Sequence, residues 1–164
     1  IIIVLSAAVT AWKAIQSLRL NISNKRTERK YYYYNKIVVE PCIKIADNYS
    51  KEFRKLIDEI EKNDQETIET LIEDKLISSW DQMHERYHQD FVSRTNNWKD
   101  DPAITKEISN ICLKLEDNFA KEFKIILNDE SQNTFDADTF RSILYSSMRE
   151  ITKTIQDFDP MLKN

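Results

Sequence analysis

The segment His84-Glu85-Arg86-Tyr87-His88 comes closest, in residue types and spacing, to known catalytic chemistry, and it holds both histidines of the chain. In zinc peptidases the H-E-x-x-H pattern places two imidazoles on one face of a helix, beside a glutamate that serves as general base. No downstream motif marks a third ligand here, and Arg86 brings a positive charge next to the dication. We therefore expect His84 and His88 to flank an apolar helix face without a ligand role, with an incidental or structural metal site and a zinc metalloprotease as the alternatives.

A second group of residues has the chemistry of a calcium site, namely Asp129, Glu130, Asp136 and Asp138. An EF-hand loop needs a central glycine, which this chain lacks. Asp136 and Asp138 fit better at the start of a helix, where carboxylates accept hydrogen bonds from free backbone N–H groups. No spacing indicates a Ser-His-Asp or Cys-His arrangement. The sequence therefore predicts no catalytic residues, no metal and no cofactor.

The elements that position these residues follow from the complete absence of glycine among 164 residues. Glycine normally supplies the positive φ of tight hairpins, so a multi-turn β fold is disfavoured. It also supplies phosphate-cradling loops, so a P-loop or a dinucleotide fingerprint is excluded. Only Pro41, Pro102 and Pro160 interrupt the chain. The composition predicts an all-α protein with long helices.

Four amphipathic patterns follow residue 41, each with apolar residues at helical spacings of three and four. Pro41 and Pro102 occupy a favoured first helical position, and the second pattern opens with a capping-box pair, Asn63 and Glu66. The fourth pattern ends at Asp159-Pro160. The four stripes are Ile45, Tyr49, Phe53, Leu56 and Ile60; Ile68, Ile72, Leu76, Trp80, Met83, Tyr87, Phe91 and Trp98; Ile104, Ile108, Ile111, Leu115, Phe119, Phe123 and Ile126; and Phe140, Leu144, Met148, Ile151, Ile155 and Phe158.

An internal match relates residues 42–53 to residues 112–123, with seven of twelve positions identical at a constant offset of 70. It predicts an antiparallel four-helix bundle made of two similar αα-hairpins, 41–99 and 102–158, with Phe53 and Phe123 at matching core positions. Coincidence within a composition rich in Lys, Glu and Ile is the alternative.

The two cysteines, Cys42 and Cys112, open the two copies of the match. Two cysteines make neither a disulfide framework nor a metal set. We expect them to be small buried residues, with a shared disulfide as the other interpretation.

The first eleven residues carry no charge, and Trp12 and Lys13 follow directly. A bilayer span needs about 20 apolar residues, and only half that number is present. We interpret residues 1–12 as the C-terminal part of a transmembrane helix that the sequence enters midway, since Trp12 suits the membrane interface. A signal-peptide remnant and an ordinary buried helix are the alternatives.

Residues 13–40 are expected to form a basic, tyrosine-rich juxtamembrane stalk. Residues 13–36 hold seven basic side chains against Glu28 alone, a net charge of +6, so the remaining residues of this chain of net charge −4 carry −10. Lys and Arg accumulate on the cytoplasmic side of a span, so we place the body, 41–164, in the cytoplasm. Its acidity argues against nucleic acid as a partner. The residues expected to meet lipid headgroups are Lys13, Arg19, Lys25, Arg26, Arg29 and Lys30.

Four consecutive tyrosines occupy positions 31–34 of this segment. Successive helical residues point in all directions, so at most two of these rings can face one partner. They either pack where the stalk meets the body or form a collar that contacts a partner or lipid. The residues predicted to contact a partner are Tyr31, Tyr32, Tyr33, Tyr34, Trp80 and Trp98.

This layout resembles a loose group of small, uncharacterised bacterial membrane-anchored proteins, some of them encoded in operons tied to phage defence or stress. The resemblance covers residues 1–60 and includes Arg29-Lys30 before the four tyrosines and Lys36-Ile-Val-Val-Glu-Pro41 after them. It implies no catalytic residues. The sequence thus predicts a non-enzymatic, membrane-tethered scaffold, sensor or regulatory subunit that contacts a second copy or another protein. A membrane-perturbing effector or toxin component is the alternative.

Overall fold

The computed structural model describes residues 2–62, 75–128, 136–160 and 162, with side chains from residue 12 onward except at 126–128. Within these ranges the chain is helical and contains no strand, so the all-α prediction is confirmed. The elements are α1 (Ile2–Tyr34), a π-helical turn (Asn35–Val39), α2 (Glu40–Glu61), α3 (Ser78–Asn96), α4 (Ala103–Asn128) and α5 (Ala137–Asp157).

Helices α2 to α5 form a closed bundle in which α2 and α4 each pack against both α3 and α5. As α2 advances from Arg54 to Asp58, its partners in α5 go back from Tyr145 to Arg141, so these two helices are antiparallel. The same reversal relates α2 to α3, α3 to α4, and α4 to α5. The body is therefore a helical bundle whose neighbouring helices run in opposite directions.

The predicted apolar stripes form the core of this bundle. Their members in α4 as far as Phe123 are buried, and so are those in α3 and those in α5 as far as Ile155. Burial of these side chains is the main source of the bundle's stability, because each large apolar group removed from water contributes about 1.5–3 kcal/mol. The half-buried exceptions are Ile45, Leu56 and Phe158. The positions that fall outside the described residues or side chains are Asn63, Glu66, Ile68, Ile72 and Ile126.

Most positions of the internal match occupy equivalent environments in α2 and α4, which face each other across the core. Ala46 and Glu116 differ, since the alanine is buried and the glutamate is exposed. Positions 42 and 112, 49 and 119, and 53 and 123 are buried in pairs. Ile43 and Leu113 are exposed to nearly the same extent, 46% and 49%. The Phe53 ring meets the Phe119 ring edge-on at 5.4 Å between centroids. Duplication of a hairpin stays a prediction, and the matched environments are what it requires.

Both cysteines are buried and free, as expected of small core residues. Burial raises the pKa of each thiol to about 12. They are therefore protonated and unreactive at neutral pH, since the thiolate is the nucleophilic form.

The helical backbone continues without interruption from α1 into α2 through the π-helical turn. Pro41 has no backbone N–H, so it cannot make the bond that would keep a regular α-helix going at this point. The Glu40 N–H instead bonds to the Asn35 carbonyl, five residues earlier, which is the π pattern. Tyr34 and Val38 are buried, so the core begins before the predicted boundary between residues 40 and 41.

Two aspartates cap helices, and the sequence predicted this role for Asp136. The Asp101 carboxylate accepts from the Ala103 N–H at 3.3 Å before α4. The Asp136 carboxylate accepts from the Asp138 N–H at 3.1 Å and from the Thr139 hydroxyl at 2.6 Å at the start of α5. These bonds satisfy donors that have no partner inside a helix. Asp129 and Glu130 lie outside the described residues.

Candidate functional surfaces

Helix α1 is 33 residues long, about 50 Å at 1.5 Å per residue. Its C-terminal part lies against the bundle, whereas the large side chains nearer its N-terminus are exposed: Trp12, Ile15, Leu18, Leu20 and Ile22. None of the described helices contains a stretch long and apolar enough to cross a membrane. The transmembrane interpretation of residues 1–12 stays a prediction.

The six cations predicted to meet lipid headgroups all lie on the exposed surface of α1: Lys13, Arg19, Lys25, Arg26, Arg29 and Lys30. Lys30 has a local partner, since its Nζ lies 2.9 Å from an Asp100 carboxylate oxygen on the bundle. Both side chains of this ion pair are about half exposed, so water screens their attraction.

Tyr34 attaches α1 to the bundle. Its hydroxyl donates to the Ile155 carbonyl of α5 at 2.5 Å, and its ring meets the Trp98 ring edge-on at 4.9 Å. Burial is the main reason that the pKa of Tyr34 is raised far above its ordinary value. The Tyr33 ring lies 6.4 Å from the same Trp98 ring. Two of the four tyrosines thus pack where α1 meets the body.

The structure separates the six predicted partner-binding residues into two groups. Tyr34, Trp80 and Trp98 are buried in the core, where Trp80 stacks on Phe119 at 4.6 Å. Tyr31, Tyr32 and Tyr33 are exposed. The buried aromatic residues stabilise the fold and offer no surface to a partner. The exposed tyrosines keep their predicted role as a prediction.

A pocket of about 410 Å³ lies between the base of α1 and the bundle. Sequence reasoning missed it, because its walls come from three separated parts of the chain. Asp100 and Asp101, directly after Trp98, are the only local signal, since they place carboxylates opposite the basic residues of α1. The lining residues are Ser23, Arg26, Thr27, Lys30, Trp98, Asp100, Asp101, Phe158 and Pro160.

His84 lies inside the core rather than on its flank, because Tyr49 and Trp80 cover it. The side chain is 4% exposed, and its ring stacks on the Trp80 indole at 5.0 Å. Its Nδ1 atom lies 2.8 Å from the Tyr49 hydroxyl. Burial, and then the neighbouring His88, lower the pKa of His84 to about 4. The imidazole is therefore neutral at physiological pH.

His88 and Glu85 do not join His84 in a metal-binding arrangement. The His88 Nε2 atom lies 2.9 Å from the Ser109 hydroxyl of α4. Glu85 is exposed and accepts a hydrogen bond from Gln89 at 2.6 Å. Across the described residues, no group of three or more His, Cys, Asp or Glu side chains could hold a metal ion. The two imidazoles bond to different helices, so we propose no zinc role for them.

A hydrogen-bonded network extends from this buried cluster to the surface. The Tyr87 ring stacks on Tyr49 at 4.7 Å, and its hydroxyl donates to the Glu52 carboxylate at 2.6 Å. The Arg86 guanidinium donates to the same oxygen at 2.6 Å. The bond from Arg86, reinforced by the bond from Tyr87, lowers the pKa of Glu52. The network joins α2 to α3.

These features define an all-helical bundle that carries a long, exposed, basic N-terminal helix. The chain matches no protein-family model, and neither a curated protein nor a solved structure is significantly similar to it. Its function must therefore be argued from its own surfaces.

Proposed function

We propose that this protein is a membrane-tethered helical bundle whose body acts as a scaffold, sensor or regulatory subunit through helix–helix contacts. The observation that carries the proposal is the unbroken helical path from the uncharged N-terminal segment, through the π-helical turn, to the end of α2. A helix is stiff along its axis, so a rotation or displacement at the N-terminal end of α1 reaches a core helix directly. A tether joined through a flexible linker would not transmit such a movement.

The charges of α1 suit an anionic membrane surface at its N-terminal end. Arg19 lies about 10 Å beyond Trp12 along the axis, whereas Lys25 lies about 20 Å beyond it. Attraction to anionic headgroups decays over a Debye length of about 8 Å in physiological salt. If α1 stands upright on the membrane, Lys13 and Arg19 act on the headgroups and the cations from Lys25 onward do not.

The charge of the body complements this arrangement. Residues outside the segment 13–36 carry a net charge of −10, which an anionic membrane surface repels. Lys13 and Arg19 therefore lie near the membrane while the acidic bundle is held away from it, on the cytoplasmic side. The resemblance to bacterial membrane-anchored proteins adds a role in phage defence or stress to the same proposal.

Vesicle flotation tests the tether. The full chain is expected to float with phosphatidylcholine vesicles, because the uncharged residues 1–12 partition into the bilayer, whereas a chain beginning at Lys13 is expected to remain at the bottom of the gradient. Circular dichroism of the shorter chain checks that the bundle still folds. If both chains float equally, or if neither floats, the tether is wrong.

Phosphatidylserine in the vesicles tests the orientation. Replacing Lys13 and Arg19 by alanine is expected to weaken the additional binding to anionic vesicles about 30-fold, since each cation near the surface contributes about 1 kcal/mol. The matched control replaces Lys25 and Arg29, which carry the same charge farther along α1, and is expected to change binding less than about threefold. Equal losses in the two double variants would show that α1 lies flat on the membrane, against the upright arrangement.

A further inference from the structure

One face of α1 carries apolar residues that nothing in the described structure covers. Ile15, Leu18 and Ile22 follow each other at spacings of three and four, so they lie on one side of the helix. Their side chains are 47%, 64% and 48% exposed. Thr27, Lys30 and Tyr34 approach the bundle from a face about 120° away, at 100° per residue. The apolar face therefore points away from the protein's own bundle.

The sequence upstream, in which nine of the first eleven residues are apolar, also fills the same seven-residue register. Assigning Ile15 and Ile22 to position a puts Leu18 at position d, and the pattern extends back to Ala11 at d and Ala8 at a. An isoleucine at a with a leucine at d favours two-stranded parallel coiled coils. Two further exposed apolar side chains of α1 lie outside this seam, since Trp12 falls at position e and Leu20 at position f.

We propose that this seam pairs with the same seam of a second copy, forming a parallel homodimer through α1. The next d and a positions are Lys25 and Arg29, and like charges facing each other across the pair end the seam there. At that same level α1 turns to its own bundle, where Lys30 pairs with Asp100. Lys25 and Arg29 thus mark the boundary between the part of α1 that pairs with the second copy and the part that packs against its own bundle.

The positions that flank the seam allow this pairing. In a parallel dimer each g residue meets the following e residue of the other chain, which here pairs Ala14 with Arg19 and Asn21 with Arg26. Neither pair brings two like charges together. The parallel direction rests on the proposed function, because a shared tether puts both copies on the same side of one membrane.

Cysteine cross-linking of the full chain tests the proposal. The native Cys42 and Cys112 are buried, so an introduced thiol is the one that responds to copper–phenanthroline, which oxidises two thiols to one disulfide. Ile15→Cys and Ile22→Cys are each expected to form covalent dimers, about tenfold more than the matched control Gln16→Cys at position b, since a disulfide needs Cβ atoms about 4 Å apart. Equal yields at Ile15→Cys and Gln16→Cys would overturn the seam.

A mixture of the two single-cysteine proteins tests the direction. A parallel dimer joins Ile15→Cys to itself and Ile22→Cys to itself, whereas an antiparallel dimer joins one to the other. Predominant mixed disulfides would overturn the parallel arrangement. Flotation of the same proteins, measured separately, shows whether the tether has failed as well, because pairing and membrane binding are read out independently.

A charged substitution in the seam tests the dimer by a second measurement that needs no oxidation. Leu18→Glu is expected to halve the mass measured by sedimentation, while Gln16→Glu leaves it unchanged. Leu18 is exposed on a face that points away from the bundle, so the bundle should stay folded in both variants. A wild-type chain that sediments as a monomer would contradict the proposal. So would a dimer that survives Leu18→Glu, since another surface or another partner would then account for it.

Discussion

Large apolar side chains are buried in the bundle but exposed in the N-terminal part of α1. In the bundle, Phe119 contacts four other aromatic rings, those of Phe53, Trp80, Phe123 and Phe140. In α1, Leu18 is largely exposed and lies on an uncovered face. Burial of apolar side chains, which stabilises the bundle, thus contributes nothing at this face of α1 within a single chain. This difference separates the residues that maintain the fold from those available for binding.

The largest expected effect contrasts these two regions directly. Phe119→Ala is expected to destabilise the protein by about 3–5 kcal/mol, because it removes a fully buried ring from a cluster that cannot close around the cavity. In the monomer, Leu18→Ala is expected to change the free energy of unfolding by less than about 0.5 kcal/mol. Urea denaturation followed by far-UV circular dichroism measures both. A comparable loss in the two variants would mean that α1 packs against the bundle in solution.

The next effect concerns acid. His84 has a pKa of about 4 in the folded protein against 6.5 as its ordinary value, so the unfolded chain binds the proton more tightly. The contribution of neutral His84 to the free energy of unfolding is therefore fully present above pH 6.5 and is lost as the pH drops from 6.5 towards 4. The expected loss is about 2 kcal/mol by pH 5 and about 3 kcal/mol by pH 4.

The variant His84→Phe isolates this contribution. A phenyl ring keeps the stack on Trp80 but cannot take up a proton, so the variant is expected to lose about 2 kcal/mol less than the wild type between pH 7 and pH 5. The free energy of unfolding of this variant at pH 7 also changes, because Tyr49 loses its hydrogen-bond partner, so only the difference between the two pH values is compared. Identical pH slopes in the two proteins would show that His84 is accessible to solvent and protons.

The smallest effect concerns the point where the two regions join. Tyr34→Phe removes the hydroxyl that donates to the Ile155 carbonyl and is expected to cost about 1 kcal/mol. Tyr33→Phe is the matched control. The Tyr33 side chain is exposed, so removing its hydroxyl is expected to change the free energy of unfolding by almost nothing. Thermal unfolding of both variants decides the matter. If Tyr33→Phe proves the more harmful, the attachment of α1 has been assigned to the wrong tyrosine.

The sequence allowed the helices and their buried faces to be predicted because both depend on local periodicity. The stripes in α4 and α5 and the caps at Asp101 and Asp136 each follow from a few adjacent residues. The place of His84 in the core could not be predicted in this way, since it depends on Tyr49 from another helix.

The partner-binding residues illustrate the same limit. The sequence pattern of an aromatic residue on a helical stripe is the same whether the side chain is buried in a bundle or exposed for a partner. Only tertiary packing shows that Trp80 and Trp98 are buried and that Tyr32 is exposed. The pocket at the base of α1 likewise exists only once distant segments meet. The exposed apolar residues of α1 were missed for another reason. They lie among basic residues, which the sequence assigned to lipid headgroups.

The π-helical turn accommodates one residue more than a regular helix would hold there and so preserves the rotational setting of α1. Tyr34, Val38 and Cys42 succeed one another at intervals of four, which in a regular α-helix would drift sideways by about 40° at each step. The wider turn at Asn35–Val39 takes up that drift and keeps all three side chains on the core. Deleting one residue there would restore a regular helix, in which the seven remaining steps from Tyr34 to Cys42 turn through about 700° instead of two full turns, so α1 would rotate by only about 20° about its own axis. The protein thus contains a site one residue in size at which a short insertion or deletion during evolution leaves both the direction of α1 and the bundle nearly unchanged.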